Sequence, residues 1–367
     1  MTSSQCPDIT IVLCTFQRAE MLRTAIASLF DLNRAGLFSY EVLVVNNAST
    51  DHTDQVIEEV QALSEAPIRG VYEPRKGIVP ARNRGVAEAR GEWIAFFDDD
   101  QLADENWLLE LYLFATMHNV KAVGGDVHLL FTSGVERDLA PTVRMLLGES
   151  RWSQSPRLYA GKVNPGCGNM MVHRSLFQEV GVFETSVHGR GEDTDLYRRI
   201  VARGHQFWYV PSAIVHHLTP PERLDPAYLG KLSYRMGEGV AWNEFRDRSR
   251  WMFVLRWLAK RARRELVHRP AQWLAMLTGN REMALERECQ MQMGAGHYVK
   301  GLSLLLPSGR KVARTIDEGA LAPVPGSSAT AVASLATAEP VQRSAASQPL
   351  VFAPEEVRGG QAATTTK

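Results

Sequence analysis

An unbroken apolar run, Trp93-Ile94-Ala95-Phe96-Phe97, ends directly on Asp98-Asp99-Asp100. A short run of that kind is a buried strand, so three carboxylates stand where the chain leaves the core. Two unit charges about 4 Å apart repel by about 4 kcal/mol at an effective dielectric near 20. A solvated turn relieves that repulsion by hydration, and Asp is common in turns and helix caps. A bound cation relieves it by neutralisation and brings metal-assisted chemistry. The triplet alone leaves both readings open; its position after a buried strand in an α/β pattern favours the cation.

That pattern runs through the first half of the chain. Residues 9–14 (ITIVLC) predict a strand, and Leu22, Ile26 and Leu29 share one face of a helix over 20–30. A second strand at 41–45 ends at Asn46-Asn47, after which Ser49 or Thr50 is placed to cap a helix carrying Val56, Val60 and Leu63. A third strand at 92–97 precedes a helix from Trp107 to Met117. Strands alternating with helices imply a parallel sheet with right-handed crossovers. Ligands of such sheets bind beyond the carboxyl ends of the strands, where Thr15, the Asn46–Asp51 segment and Asp98–Asp100 all fall.

Further on, strands are predicted at 122–131 and 166–173, and a helix from Asp193 to Arg203 with Gly204 as its stop signal. Residues 207–210 (FWYV) read as a strand closed by Pro211, and 225–300 as mainly helical. From 317 onward Ala, Ser, Thr, Pro and Gly dominate and Phe352 is the only aromatic residue, a composition expected to be disordered.

Charge narrows the partners. Lys+Arg and Asp+Glu both number 41 in the 367 residues, so nothing in the whole-chain balance calls for a nucleic-acid partner. Within Arg246–Arg269, however, eight Arg and one Lys face only Asp247 and Glu265 and are interleaved with Trp251, Leu255, Trp257 and Leu258. This is the pattern of a basic interfacial helix on an anionic membrane, and equally of a helix packed on the protein with its arginines in water. Cys6, Cys14, Cys167 and Cys289 are widely spaced, which suits a reducing compartment and excludes a structural zinc motif. The amino terminus lacks basic and apolar signal regions and no 18-residue apolar run occurs, so neither secretion nor a membrane span is expected.

Each polar cluster has a plain reading beside a chemical one. An Asp-x-Asp at a strand end can hold Mg²⁺ or Mn²⁺ while leaving room for water and a diphosphate. Asn46, Asn47 and Asp51 can bond a ribose or base, or simply cap a helix. Arg82 and Arg84 can grip a phosphate, or lie on a solvated helix face. In Gly189-Arg190-Gly191-Glu192-Asp193, one carboxylate is expected to complement a helix dipole and the other to face the cleft, where it can take a proton from a sugar hydroxyl. His216-His217 offers a further metal ligand or an ordinary structural pair.

Taken together, TIVLCTFQR (10–18), VVNNASTD (44–51), GIVPARNRGVAEARGEWIAFFDDD (77–100), GCGNMMVHRSLFQEVGVFE (166–184) and GEDTDLYRR (191–199) resemble the family 2 glycosyltransferases of the nucleotide-sugar-dependent GT-A fold. The resemblance covers about residues 8–220. It implies an α/β catalytic domain over 1–220 with an open, mostly parallel sheet flanked by helices; by their own pattern and composition, residues 221–316 follow as a helical extension and 317–367 as a disordered tail. It implies a nucleoside-diphosphate sugar donor, a saccharide or lipid-linked acceptor, and a cytoplasmic enzyme, peripheral at the inner face of the membrane if residues 246–269 dock there. Thr15, Asn46, Asn47, Asp51, Arg82, Asp98 and Asp99 would then line the donor, and Asp98, Asp100 and His216 would hold the metal. Asp193, beside Glu192, would be the base. Asn46 stands where the family often has Asp. Nucleotidyl transfer, the competing chemistry on such sheets, calls for a Gly-rich phosphate loop near the first strand, and Thr15-Phe16-Gln17-Arg18 is not one. A non-catalytic module working only through its basic helix is the remaining alternative.

Overall fold

A computed structural model describes residues 6–63, 67–134, 138–160, 163–185 and 191–306. Four parallel strands form one half of the sheet: β1 (Ile9–Thr15), β2 (Tyr40–Asn46), β3 (Ile68–Tyr72) and β4 (Trp93–Asp98). They alternate with α1 (Ala19–Ala27), α2 (Thr53–Leu63) and α3 (Ile78–Glu88). The other half is mixed: β5 (Gln101–Ala103), β6 (Ala122–Phe131), β7 (Arg157–Leu158), β8 (Asn169–His173) and β9 (Trp208–Thr219). Between these strands lie α4 (Trp107–Met117), α5 (Pro141–Leu146), α6 (Arg174–Val180) and α7 (Glu192–Ala202). The described residues make one open nine-stranded sheet in the order β3-β2-β1-β4-β8-β6-β9-β5, with β7 on β9. Most paired residues lie in parallel pairs, while β8 runs against both β4 and β6.

The apolar runs are continuous because both faces of the sheet are covered. In β1 alternate residues point to opposite layers: Ile9, Ile11 and Leu13 pack with Leu22, Ile26, Val56 and Trp107, whereas Val12 packs with Val79, Ala81, Leu176 and Leu196. Thus α1, α2 and α4 cover one face and α3, α6 and α7 the other.

Two expectations are corrected here. The strand at 93–98 is the fourth, not the third. β3 lies at the sheet edge and is only half buried, so IRGVY lacks the apolar run that marks β1, β2 and β4. Pro211 does not end its strand: β9 continues to Thr219, and the pairing jumps from Gly125↔Val210 to Asp126↔Ile214, leaving Pro211 in a bulge. A bulge needs no ladder hydrogen bond from that residue, which proline cannot give.

Residues 226–305 are helical as expected: α8 (Pro226–Asp247), α9 (Arg250–Arg263), a π-helical turn at Arg264–His268, α10 (Arg269–Leu277) and α11 (Arg281–Leu305). α8 and α11 pack along each other and, with α5, enclose Leu146, Leu229, Leu232 and Cys289. The expected tail at 317–367 lies outside the described residues.

The approach of α3 to β1 depends on Gly85, where a Cβ atom would sit 2.3 Å from Val12 Cγ1. Gly85→Ala is therefore expected to push α3 off the sheet at a cost of about 1–3 kcal/mol. Urea denaturation of the two proteins checks this, and coincident midpoints would exclude such close packing.

Candidate active site

The carboxyl ends of β1, β2 and β4 are adjacent, since Thr15 pairs with Asn46 and Cys14 with Asp98. Sheet register alone brings the three predicted clusters to one edge. At the β2 end the polar side chains serve loops. Asn46 accepts from the Ser49 N–H at 2.9 Å and donates to Asp54 at 2.6 Å. Asn47 donates to the carbonyls of Glu73 and Arg75 and accepts from the Gly77 N–H at 2.8 Å. Asp51, rather than Ser49 or Thr50, caps the helices: it accepts from the Thr53 N–H at 3.2 Å and the Ala19 N–H at 3.3 Å. Ser49 and Thr50 instead accept hydrogen bonds from Gln17, tying the two strand ends together.

The three aspartates have different surroundings. Asp99 is buried, accepting from Thr15 Oγ1 at 2.8 Å and from Arg18 Nη1 at 2.8 Å. Asp100 is buried between Arg223, Arg18 at 3.0 Å and His217 Nε2 at 3.3 Å. Burial alone would raise the Asp100 carboxyl, but His217 and Arg223 hold it well below the usual carboxylate range. Burial raises Asp98 and Asp99, and the charge of Asp100 adds to it, against the pull of Arg82 on the one and Arg18 on the other. Asp98 is the open member of the set, with its side chain 39% exposed. Gly168 makes the space beside it, because a Cβ there would lie 2.4 Å from Asp98 Oδ2.

Arg82 joins this cluster to the start of α7. It is buried on the sheet-facing side of α3, one turn before Gly85; its guanidinium bonds Glu192 and lies 3.6 Å from Asp98 Oδ1, with Phe183 under it at 5.8 Å. Glu192 is thereby ion-paired. Its neighbour Asp193 makes no ion pair among the described residues and accepts from the Thr194 N–H at 2.6 Å. Burial, followed by the charge of Glu192, pushes the Asp193 carboxyl up to about 6. One acid is thus ion-paired and the other carries a raised pKa, the kind of perturbation that gathers at functional sites. Gly189 and Arg190 of the same motif lie outside the described residues.

The histidine that reaches the aspartates is His217. Successive residues of a strand face opposite ways, and His216 packs edge-on against His128 at 5.8 Å instead. Burial lowers its pKa. Arg18 and Arg223 are the site residues that local sequence does not single out. Arg223 stands 123 positions from Asp100 in a turn before α8, and only folding connects them.

An acidic cluster and its arginines thus stand at the strand ends of an open α/β sheet, where ligands of such sheets bind, and Arg82 ties that cluster to the start of α7. Residues 10–181 match the model of glycosyl transferase family 2, so the chain carries a family 2 glycosyltransferase domain and is a glycosyltransferase. It is 28% identical to the succinoglycan biosynthesis protein ExoM of Rhizobium meliloti, over 63% of this chain and 73% of that one. It is 24% identical to the glycosyltransferase AglE of Haloferax volcanii, over 65% and 74% of the two chains. A solved mannosyltransferase from Pyrobaculum calidifontis, in complex with GDP-Man and Mn²⁺, aligns at TM-score 0.49 and 17% identity over 91% of this chain and 80% of its own.

Removing Arg82 would leave Glu192 buried without its partner and Asp98 without its nearest guanidinium. Arg82→Ala is expected to cost about 3–5 kcal/mol, and adding Glu192→Gln should restore part of it. A double-mutant cycle by chemical denaturation checks this; additive losses would mean that the pair is not coupled.

Proposed function

We propose that this enzyme moves a glycosyl group from a nucleoside-diphosphate sugar to an acceptor hydroxyl by a single, inverting displacement that uses a divalent cation. The observation that supports it is Arg82, whose one guanidinium bonds Glu192 at the start of α7, the residue before Asp193, and lies 3.6 Å from Asp98 at the end of β4. Asp193 takes the acceptor proton, the freed oxygen bonds to the anomeric carbon, and the bond from that carbon to the diphosphate breaks with its electron pair passing to the leaving oxygen. A group pushed up to about 6 is ionised at neutral pH yet basic enough for this task.

Thr15 and the segment from Asn46 to Asp51 form the nucleoside end of the cleft, with Asn46, Asn47 and Asp51 shaping its wall through the backbone groups they hold. Asp99 and Asp100 fix Arg18 and Arg223 at the diphosphate end, and Glu192 orients Arg82.

The donor set fits a divalent ion. Five carboxylates (Asp98, Asp99, Asp100, Glu192, Asp193) stand against three guanidiniums (Arg18, Arg82, Arg223), and burial together with the charge of Asp100 pushes up two of the carboxyls in the aspartate triplet. Among the described residues no three side chains converge as a ready-made cage, which suits Mg²⁺ or Mn²⁺ held by one or two carboxylates together with water and substrate phosphates. Asp98 would hold it, with Asp100 behind; when bound, the ion neutralises charge developing on the departing diphosphate. His217 takes the place expected for His216. The acceptor on this reading is a saccharide or lipid-linked saccharide met in the cytoplasm or at the inner face of the membrane.

Release of nucleoside diphosphate from a panel of nucleotide sugars tests the proposal. Asp193→Asn should lower turnover about 10²- to 10⁴-fold while donor binding by calorimetry stays within a few-fold, and unchanged turnover would reject the base. Wild-type kcat/KM should climb as pH rises through about 6. The raised carboxyl favours the fold while protonated, so its contribution to stability is complete below about pH 4 and is lost as pH rises through about 6. Asp193→Asn should accordingly melt higher than wild type at pH 7.5, with the gap closing in acid; a constant gap would contradict the shift. EDTA should abolish product release and Mn²⁺ or Mg²⁺ restore it, whereas full activity in EDTA would remove the cation from the scheme.

A further inference from the structure

The helical extension carries a surface that sugar transfer does not use. α9 is fixed by one face: Phe253 is fully buried, and Trp257 donates through Nε1 to the Tyr298 carbonyl at 3.1 Å. Glu244 of α8 binds Arg256 at 2.9 Å, Lys260 at 3.0 Å and His297 of α11 at 2.9 Å, so α9 cannot roll about its axis. Its opposite face is therefore held outward, and that face is apolar. Trp251, Leu255 and Leu258 recur at helical spacing and are exposed, Trp251 by 66%. Leu266 within the π-helical turn, and Trp273 and Leu277 past it, are likewise exposed, Leu266 by 75% and Leu277 by 70%. Arg248, Arg250 and Arg263 on the same segment make no ion pair among the described residues, and residues 246–269 carry seven excess positive charges.

We propose that α9 and α10 dock on an anionic lipid surface, with the Trp251–Leu277 stripe in the boundary between headgroups and acyl chains and the free arginines on acidic headgroups. The charge selects the occupant. A second copy would set two strongly cationic segments against each other in a self-complementary contact, whereas an acidic leaflet neutralises them. No described helix is long and apolar enough to cross a membrane, so the segment lies in the interface plane. Docking needs no catalytic activity and stands or falls apart from the sugar-transfer reading.

Co-sedimentation of the full chain with vesicles decides the matter. Wild type should pellet with phosphatidylcholine vesicles containing 30% phosphatidylglycerol, release progressively as salt is raised, and bind pure phosphatidylcholine far more weakly. Leu255→Glu with Leu258→Glu should abolish pelleting while leaving the melting temperature close to wild type, since both side chains face solvent. Each basic group near an acidic leaflet strengthens binding about fivefold, so replacing Arg248, Arg250 and Arg263 by Gln should weaken it roughly 100-fold, and replacing them by Lys should not. Pelleting that either set of acidic or Gln substitutions leaves unchanged overturns the proposal. So does a wild-type dimer in sedimentation velocity that Leu255→Glu dissociates, which would assign the face to a second copy.

Discussion

The structure is organised around one electrostatic constraint: five carboxylates are gathered at the carboxyl edge of a sheet, most of them out of water. Charges so placed are tolerable only where guanidiniums or a cation answer them. Three elements supply the arginines. Arg18 comes from the turn after β1, Arg82 from α3, and Arg223 from the turn before α8. None is beside its partners in sequence, so the fold must close before the cluster is neutralised. Burial, with the charge of neighbouring acids added to it, lifts Asp98, Asp99 and Asp193 against the pull of those arginines. On the proposed mechanism this edge takes up a cation, and the raised carboxyl of Asp193 has a proton affinity suited to general base work.

Close packing sets where those charges stand. Gly85 lets α3 lie against Val12, and the helix period then turns Arg82, three residues earlier, toward the cluster. Gly168 leaves room for the Asp98 carboxylate at the mouth of β8. Asn169, next in that strand, is buried; it accepts from Trp107 Nε1 at 2.7 Å and donates to the carbonyls of Asp126 and Ala213. That single amide ties β8 to α4, β6 and β9, so the strand flanking Asp98 is pinned by satisfied polar bonds as well as apolar contact. Small residues and one buried amide thus carry a positioning role that composition does not reveal.

The most legible parts of the fold are those governed by local pattern. The runs ITIVLC, EVLVV and WIAFF mark strands buried on both faces, and their polar successors mark the edge where ligands bind. Elements governed by context are not legible in this way. IRGVY is an edge strand without an apolar signature, and a bulge absorbs Pro211 where a regular ladder would stop. Among candidate site residues, Asp98–Asp100 and Glu192-Asp193 announce themselves as charges at a strand end and a predicted turn, and Arg82 as a guanidinium in a charged stretch leading into a predicted strand. Arg18 and Arg223 do not, because an arginine near a turn is ordinary until folding sets it against a buried acid. His217 differs from His216 only by strand parity, and the bulge at Pro211 makes that parity unreadable from the flanking sequence.

The helical extension is structurally part of the cleft. The turn leading into α8 delivers Arg223 to Asp100, and the far end of the same helix delivers Arg246 to Asp195 of α7 at 3.1 Å and Asp247 to Arg198. One helix therefore braces both the aspartate cluster and the helix that bears Asp193. α8 also provides Glu244, which holds α9 with its apolar face outward. α8 and the turn before it thus touch α9 through that ion-paired junction, the aspartate cluster through Arg223 and α7 through Arg246. A partly exposed, hydrogen-bonded ionic junction also does what a uniform apolar seam does not: its paired charges fix the rotation of α9 about its axis.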